Sequence, residues 1–105
     1  NLDNSNFLKK IKNFKNIGLA PANQNTLDLV QMFNHKKKID VFDKNFNSKR
    51  YEKGFFNYKV KSYYDKTLIS YKDIFIISSN IYKKSIYKIL NKSISKKKII
   101  FNPTI

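Results

Sequence analysis

An α/β fold is what the sequence predicts, on three observations. Near the amino terminus apolar residues recur at helical spacing, with Phe7, Leu8, Ile11 and Phe14 on one face. In residues 55–62 they alternate instead, with Phe56, Tyr58 and Val60 set against Asn57, Lys59 and Lys61, which is the pattern of a half-buried strand. Finally, 41% apolar residues in a chain of 105 suffice for a core. This excludes wholesale disorder and bounds the protein at one domain, or two very small lobes sharing a core.

Asn1 to Asn16 reads as a helix that Asp3 can cap. Lys9, Lys10, Lys12 and Asn13 project from its polar side, where a solvated face accounts for them as on most helices. Ile17 to Pro21 is extended, because the residue before a proline is pushed out of the α region. Asn25 or Thr26 can cap a second helix running to about Asn34. Leu29 and Phe33 stand at i, i+4 on it, with Val30 and Met32 widening the buried stripe. Met32 serves there as core filler. The run Lys36-Lys37-Lys38 complements that helix's carboxyl end, or contacts RNA.

A strand is expected over Ile39 to Phe46, a polar turn around Asn47 to Gly54 and a second strand over Phe55 to Ser62. Tyr63 to Lys66 reads as a turn and Thr67 to Ser70 as a short strand. Tyr71 to Tyr82 has Ile74, Ile77 and Ile81 at helical spacing amid β-branched residues that suit a strand, and is read as a helix. The stretch from Lys83 to Phe101 carries seven lysines and no acid. Ile86 to Leu90 and Ile99 to Phe101 are each too short for a helix and fit buried strands. Between them a loop, Asn91 to Lys98, presents amide, hydroxyl and ammonium groups from fixed ends, an arrangement suited to phosphate oxygens. Lys88, Asn91, Lys92, Ser93, Ser95, Lys96, Lys97 and Lys98 are thus candidate nucleic-acid contacts. Tyr87 either stacks or hydrogen-bonds there, or belongs to the core.

The net charge of +15 makes a polyanionic partner the economical explanation, since the chain alone repels itself. Lysine supplies all the basic residues but Arg50, and Asn, Ile, Phe and Tyr abound, as in the product of an AT-rich gene. Such a bias turns Arg into Lys but does not account for only 7 acids. With no cysteine, disulfides and thiolate metal sites are excluded. The longest apolar run, Ile74 to Ile77, is far short of the roughly 20 residues that span a bilayer. Nothing reads as a signal peptide, and a first residue other than methionine leaves open whether a leader has been removed.

Catalytic chemistry is not expected. His35, the only histidine, reads as a surface residue, and Asp40 and Asp43, three apart on a strand, point to opposite faces. Gly18 and Gly54 are too few for a glycine-rich phosphate loop. No cofactor and no metal are expected.

The first forty residues resemble the start of small-subunit ribosomal protein eight, of the bacterial and organellar type. Leu8-Lys9-Lys10-Ile11-Lys12-Asn13 follows that family's opening helix position by position, and Ala20-Pro21-Ala22-Asn23 stands where it has Val-Pro-small-Ser. Leu29-Val30 and Met32-Phe33 match its paired apolar positions, and Ile39 and Phe42 its next strand, with Lys37 replacing a glycine. Further on, Tyr71-Lys72-Asp73-Ile74 resembles the opening of its last helix. Ile89-Leu90-Asn91-Lys92-Ser93 falls on its RNA-contacting Ile-Leu-Ser-Thr-Ser, and Lys96-Lys97-Lys98 lies close to the place of a Gly-Gly.

The resemblance implies two small lobes, each a short sheet with one or two helices: residues 1–62 as an α-β-α-β-β lobe and residues 63–105 as the RNA-binding lobe. It implies a structural constituent of an organellar small ribosomal subunit, binding central-domain ribosomal RNA and supporting its folding for translation. Neighbouring small-subunit proteins would be partners, and no homo-oligomer would form. Lys9, Lys10, Lys12 and Asn13 become RNA-facing on this view. A mitochondrial ribosome is favoured, a plastid one being the alternative. Two other classes remain: a basic ribosomal protein of another family, and a peripheral protein on an anionic membrane. The lysines, spread over every element, argue against a single membrane-facing stripe.

Overall fold

In a computed structural model of the chain, residues 4–33 and 37–105 are described. The elements are α1 (Asn4–Ile11), β1 (Asn16–Ala20), α2 (Gln24–Met32), β2 (Lys38–Phe42), β3 (Val60–Lys61), α3 (Lys66–Ser70), β4 (Ile74–Ile77), α4 (Lys83–Leu90) and β5 (Ile99–Phe101). Single 3-10 turns lie at Lys49–Tyr51 and Lys96–Lys98. The strands form one five-stranded sheet in the order β3-β2-β1-β4-β5, with every neighbouring pair parallel.

Parallel strands require crossovers, and the crossovers cover both faces of the sheet. Its central strands are therefore apolar throughout instead of alternating. Ile17 and Leu19 of β1 and Ile74 and Ile76 of β4 pack with Phe7, Ile11, Leu29 and Phe33 from α1 and α2. Ala20, Phe75 and Ile77 turn to the other face, against Ile69 of α3 and Ile86 and Leu90 of α4. The Phe42 and Phe75 rings meet on that face, 4.9 Å apart between centroids.

The α/β class holds, and so does the order helix, strand, helix, strand over the first 42 residues. The expected division into two short sheets does not: β1 lies between β2 from the first half and β4 from the second. The boundaries also shift. Asn23, not Asn25 or Thr26, caps α2, its Oδ1 accepting from the Thr26 N–H at 2.9 Å. Lys37 serves α1 instead of α2. Its ammonium donates to the carbonyls of Ile11, Lys12 and Phe14 at 3.0, 3.1 and 2.7 Å, satisfying acceptors left free at a helix carboxyl end. Asp3, His35 and Lys36 lie outside the described residues.

Three readings in the carboxyl half are corrected. Tyr71 to Tyr82 is not a helix: Ile74–Ile77 is β4, buried on both faces, and Ile81 is 84% exposed. Thr67 to Ser70 belongs to the short helix α3, because Asp65 caps it by accepting from the Leu68 N–H at 3.2 Å. Ile86 to Leu90 is the second half of α4, with Ile86 and Leu90 at i, i+4 on its buried side. In residues 55–62 only Val60 and Lys61 form a strand. Phe55 and Tyr58 instead exchange backbone hydrogen bonds of 2.7 and 2.9 Å around a two-residue turn.

Candidate ligand cleft and basic edge

All five strands end at the same edge of the sheet, and their order reverses between β1 and β4. The connection from β1 leaves through α2 to one face, and that from β4 through α4 to the other. Where two such connections part, a crevice opens beyond the carboxyl ends of the strands, the usual ligand position in open α/β sheets. Here it is a cleft of about 780 Å³.

Hydrogen bonds tie its walls together. Asn23, just after β1, donates from Nδ2 to the Ser78 carbonyl after β4 at 2.9 Å, while its Oδ1 caps α2. Asp43, one residue past β2, accepts the Ala22 N–H at 2.9 Å and the Asn45 N–H at 2.8 Å. The Tyr51 hydroxyl donates to the Ala22 carbonyl at 3.4 Å. Ser79 Oγ accepts the Tyr82 N–H at 2.9 Å and shapes the turn into α4. Tyr63 lines the same cleft, nearly buried. Burial, then the negative charge of Asp43, then Tyr51 push its hydroxyl well above its ordinary range, so it stays protonated.

The cleft suits an anion. Among its lining residues the cations are Lys44 and Arg50, and the one acid, Asp43, is held by two backbone N–H groups. The amino ends of α2 and α4 both open toward it, adding partial positive charge. The Arg50 guanidinium lies 5.8 Å from the Tyr51 ring centroid, which orients it. At the mouth Phe46, Tyr64 and Tyr82 expose flat apolar groups beside Ile81. The β1–α2 loop is Pro21-Ala22-Asn23, not a glycine-rich run, so side-chain cations stand in for a backbone cradle.

The candidate RNA contacts lie elsewhere. Lys9 and Lys10 are exposed in the last turn of α1, with Lys12 and Asn13 exposed just beyond. Lys88 is exposed on α4, across the sheet from α1. Asn91 and Lys92 are exposed after α4 and Ser93 is half-buried. Ser95 Oγ accepts the Lys97 N–H at 3.3 Å, and Lys96, Lys97 and Lys98 are exposed in the turn before β5. None of them lines the cleft. Tyr87 is half-buried, its ring 6.0 Å from that of Phe101.

At the strands' amino ends Lys72 is fully buried, bonded to Asp40 and to Asn16 Oδ1 at 2.7 Å. Burial lowers its pKa and Asp40 opposes that shift. Asp40 and Asp43 do part, as the sequence suggests: one holds Lys72 and the other the cleft wall. Among the described residues no group of His, Cys, Asp and Glu gathers as a metal site, and no helix is long and apolar enough to cross a membrane. Comparison of the chain with protein families, with curated proteins and with solved structures finds no match.

The sequence reading missed the residues of the cleft. Two signals carry them: a buried strand, a polar loop and a helix recur at 16–32 and again at 74–90, and Asp43 falls just after the strand that follows the first unit. Reading residues 86–90 as a strand hid the second unit.

Proposed function

We propose that the chain is a binding module for a small phosphorylated ligand with a flat ring system, of the nucleotide class. The observation that carries this reading is the strand reversal at β1 and β4, with Arg50 and Lys44 in the cleft that opens there. Phosphate oxygens meet these cations and the α2 and α4 amino ends, and the ring stacks on the aromatic groups at the mouth. The reading is one of binding, because the one carboxylate of the lining, Asp43, is engaged by two backbone N–H groups and Tyr63 holds its proton.

Thermal unfolding with ADP or UDP, against inorganic phosphate, tests it. A nucleotide at a hundredfold excess over its Kd stabilises by about 2.7 kcal/mol, a rise in Tm on the order of 10 °C for a chain this size. Arg50→Ala is expected to weaken binding at least tenfold, the scale of a lost charged hydrogen bond. A Tm indifferent to millimolar nucleotide would sink the reading.

A second reading follows the ribosomal resemblance. It takes the chain as a monomeric constituent of an organellar small subunit, mitochondrial before plastid, on central-domain ribosomal RNA and beside other small-subunit proteins. The net charge of +15 favours it. The single parallel sheet is not the two-lobed architecture that the resemblance implies, and this places it second. Absence of the chain from small-subunit fractions of a ribosome gradient counts against it.

A further inference from the structure

The amino-terminal edge of the sheet, opposite the cleft, gathers lysines that the ligand reading does not use. Lys12 and Lys15 precede β1, Lys38 opens β2, and Lys96, Lys97 and Lys98 precede β5; all six are exposed. Because every strand is parallel, residues that lie far apart in sequence come to one edge. From β2 to β5 there are three strand spacings of about 4.8 Å, so the row spans roughly 14 Å.

The acids at this edge offset only part of the row, Asp73 setting one negative charge against six lysines. Asp73 Oδ2 accepts the N–H groups of Lys15 and Asn16 at 3.0 and 2.9 Å, and Asp40 is paired with the buried Lys72. Amid the cations stands Tyr71, 71% exposed, its carbonyl accepting from Asn16 Nδ2 at 3.1 Å. A line of cations with an exposed aromatic ring is the chemistry that holds a single strand of nucleic acid, by phosphate contact and base stacking. Anchoring in a membrane asks instead for a broad apolar face behind the charges. Of the other large exposed apolar side chains among the described residues, Phe46, Tyr64, Ile81 and Tyr82 line the cleft at the other end.

We propose that this edge binds single-stranded nucleic acid, and does so independently of the cleft. A stacked strand carries one charge per about 3.4 Å, so the row meets about four phosphates. The logarithm of affinity should then fall with the logarithm of salt concentration at a slope of about −3.

Fluorescence titration of the whole chain with a labelled uridine decamer, over a range of salt, is the test. Replacing Lys96, Lys97 and Lys98 together by Ala is expected to make the slope shallower by about 2. Tyr71→Ala is expected to lower affinity about tenfold at every salt concentration with the slope unchanged. The pair Lys83→Ala and Lys84→Ala, at the cleft end of α4, should alter neither. Equal loss of slope in that pair means undirected attraction to a basic protein and overturns the proposal, as does an unchanged slope in the triple variant. Tighter binding to phosphatidylserine vesicles than to the decamer, abolished by the same triple variant, assigns the edge to a membrane and also overturns it. If the decamer binds as expected while nucleotides leave the Tm unmoved, the cleft reading alone fails.

Discussion

A Cβ placed on Gly18 would stand 2.5 Å from the ring of Phe75, so β1 carries glycine there because the aromatic ring lies across it. Contact at this range cannot be relieved by rotating a flexible tip, and the Phe42–Phe75 pair depends on it. Tyr63 shows a different single-residue effect, one that depends on pH. In the folded chain its hydroxyl keeps a proton that the unfolded chain releases near the ordinary value of 10.0. The folded state therefore binds more protons above that pH, and the stability Tyr63 confers below it is lost as the pH climbs toward the raised value. Lys72, shifted the other way, adds stability as pH rises, but it is common to both proteins in a comparison. Urea unfolding below and above about pH 10 should thus show a steeper alkaline loss in the parent chain than in Tyr63→Phe. Parallel pH profiles would contradict this account.

At the scale of elements, some signals were legible and others were not. The α1 stripe, Phe7 and Ile11, and the α2 stripe, Leu29 and Phe33, have helical spacing and are buried, whereas Met32, expected as core filler beside them, is exposed. Ile17–Ala20 was legible as extended from Pro21 alone. In residues 71–90 the same logic failed because two elements share one vocabulary: Ile74, Phe75, Ile76 and Ile77 are buried on both faces, so no alternation marks them as a strand. Then Ile86, Tyr87, Ile89 and Leu90 form a dense cluster that looks like a strand unless Lys83 to Ser85 are counted as the first turn. The turn after Gly54 was hidden for another reason. Phe56 and Asn57 take φ of 46° and 74°, the left-handed region where Asn-Gly is the usual pair, so the sequence carries no turn signal there. Phe56, 61% exposed, consequently broke the expected alternation. The cleft was illegible because its residues come from four separate loops that only the strand order brings together.

For the molecule as a whole the dominant quantity is the charge of +15 on a fold of this size. The described ion pair, Lys72 with Asp40, is buried, and with 7 acids against 22 basic residues most surface lysines have no carboxylate to neutralise them. The remaining cations repel one another in the compact state more than in the expanded chain, and this opposes folding. Dissolved salt weakens that repulsion before it touches the core, because the Debye length falls from about 30 Å at 0.01 M to about 8 Å at 0.15 M, within the dimensions of the domain. Tm should therefore rise across that range by about 5 °C, corresponding to roughly 1 kcal/mol for a domain of this length. A single-stranded oligonucleotide should produce the same rise at low salt by neutralising the amino-terminal edge alone, and add little to it at high salt. A Tm that stays flat between these salt concentrations, measured by circular dichroism, would show that the lysines are too far apart to strain the fold.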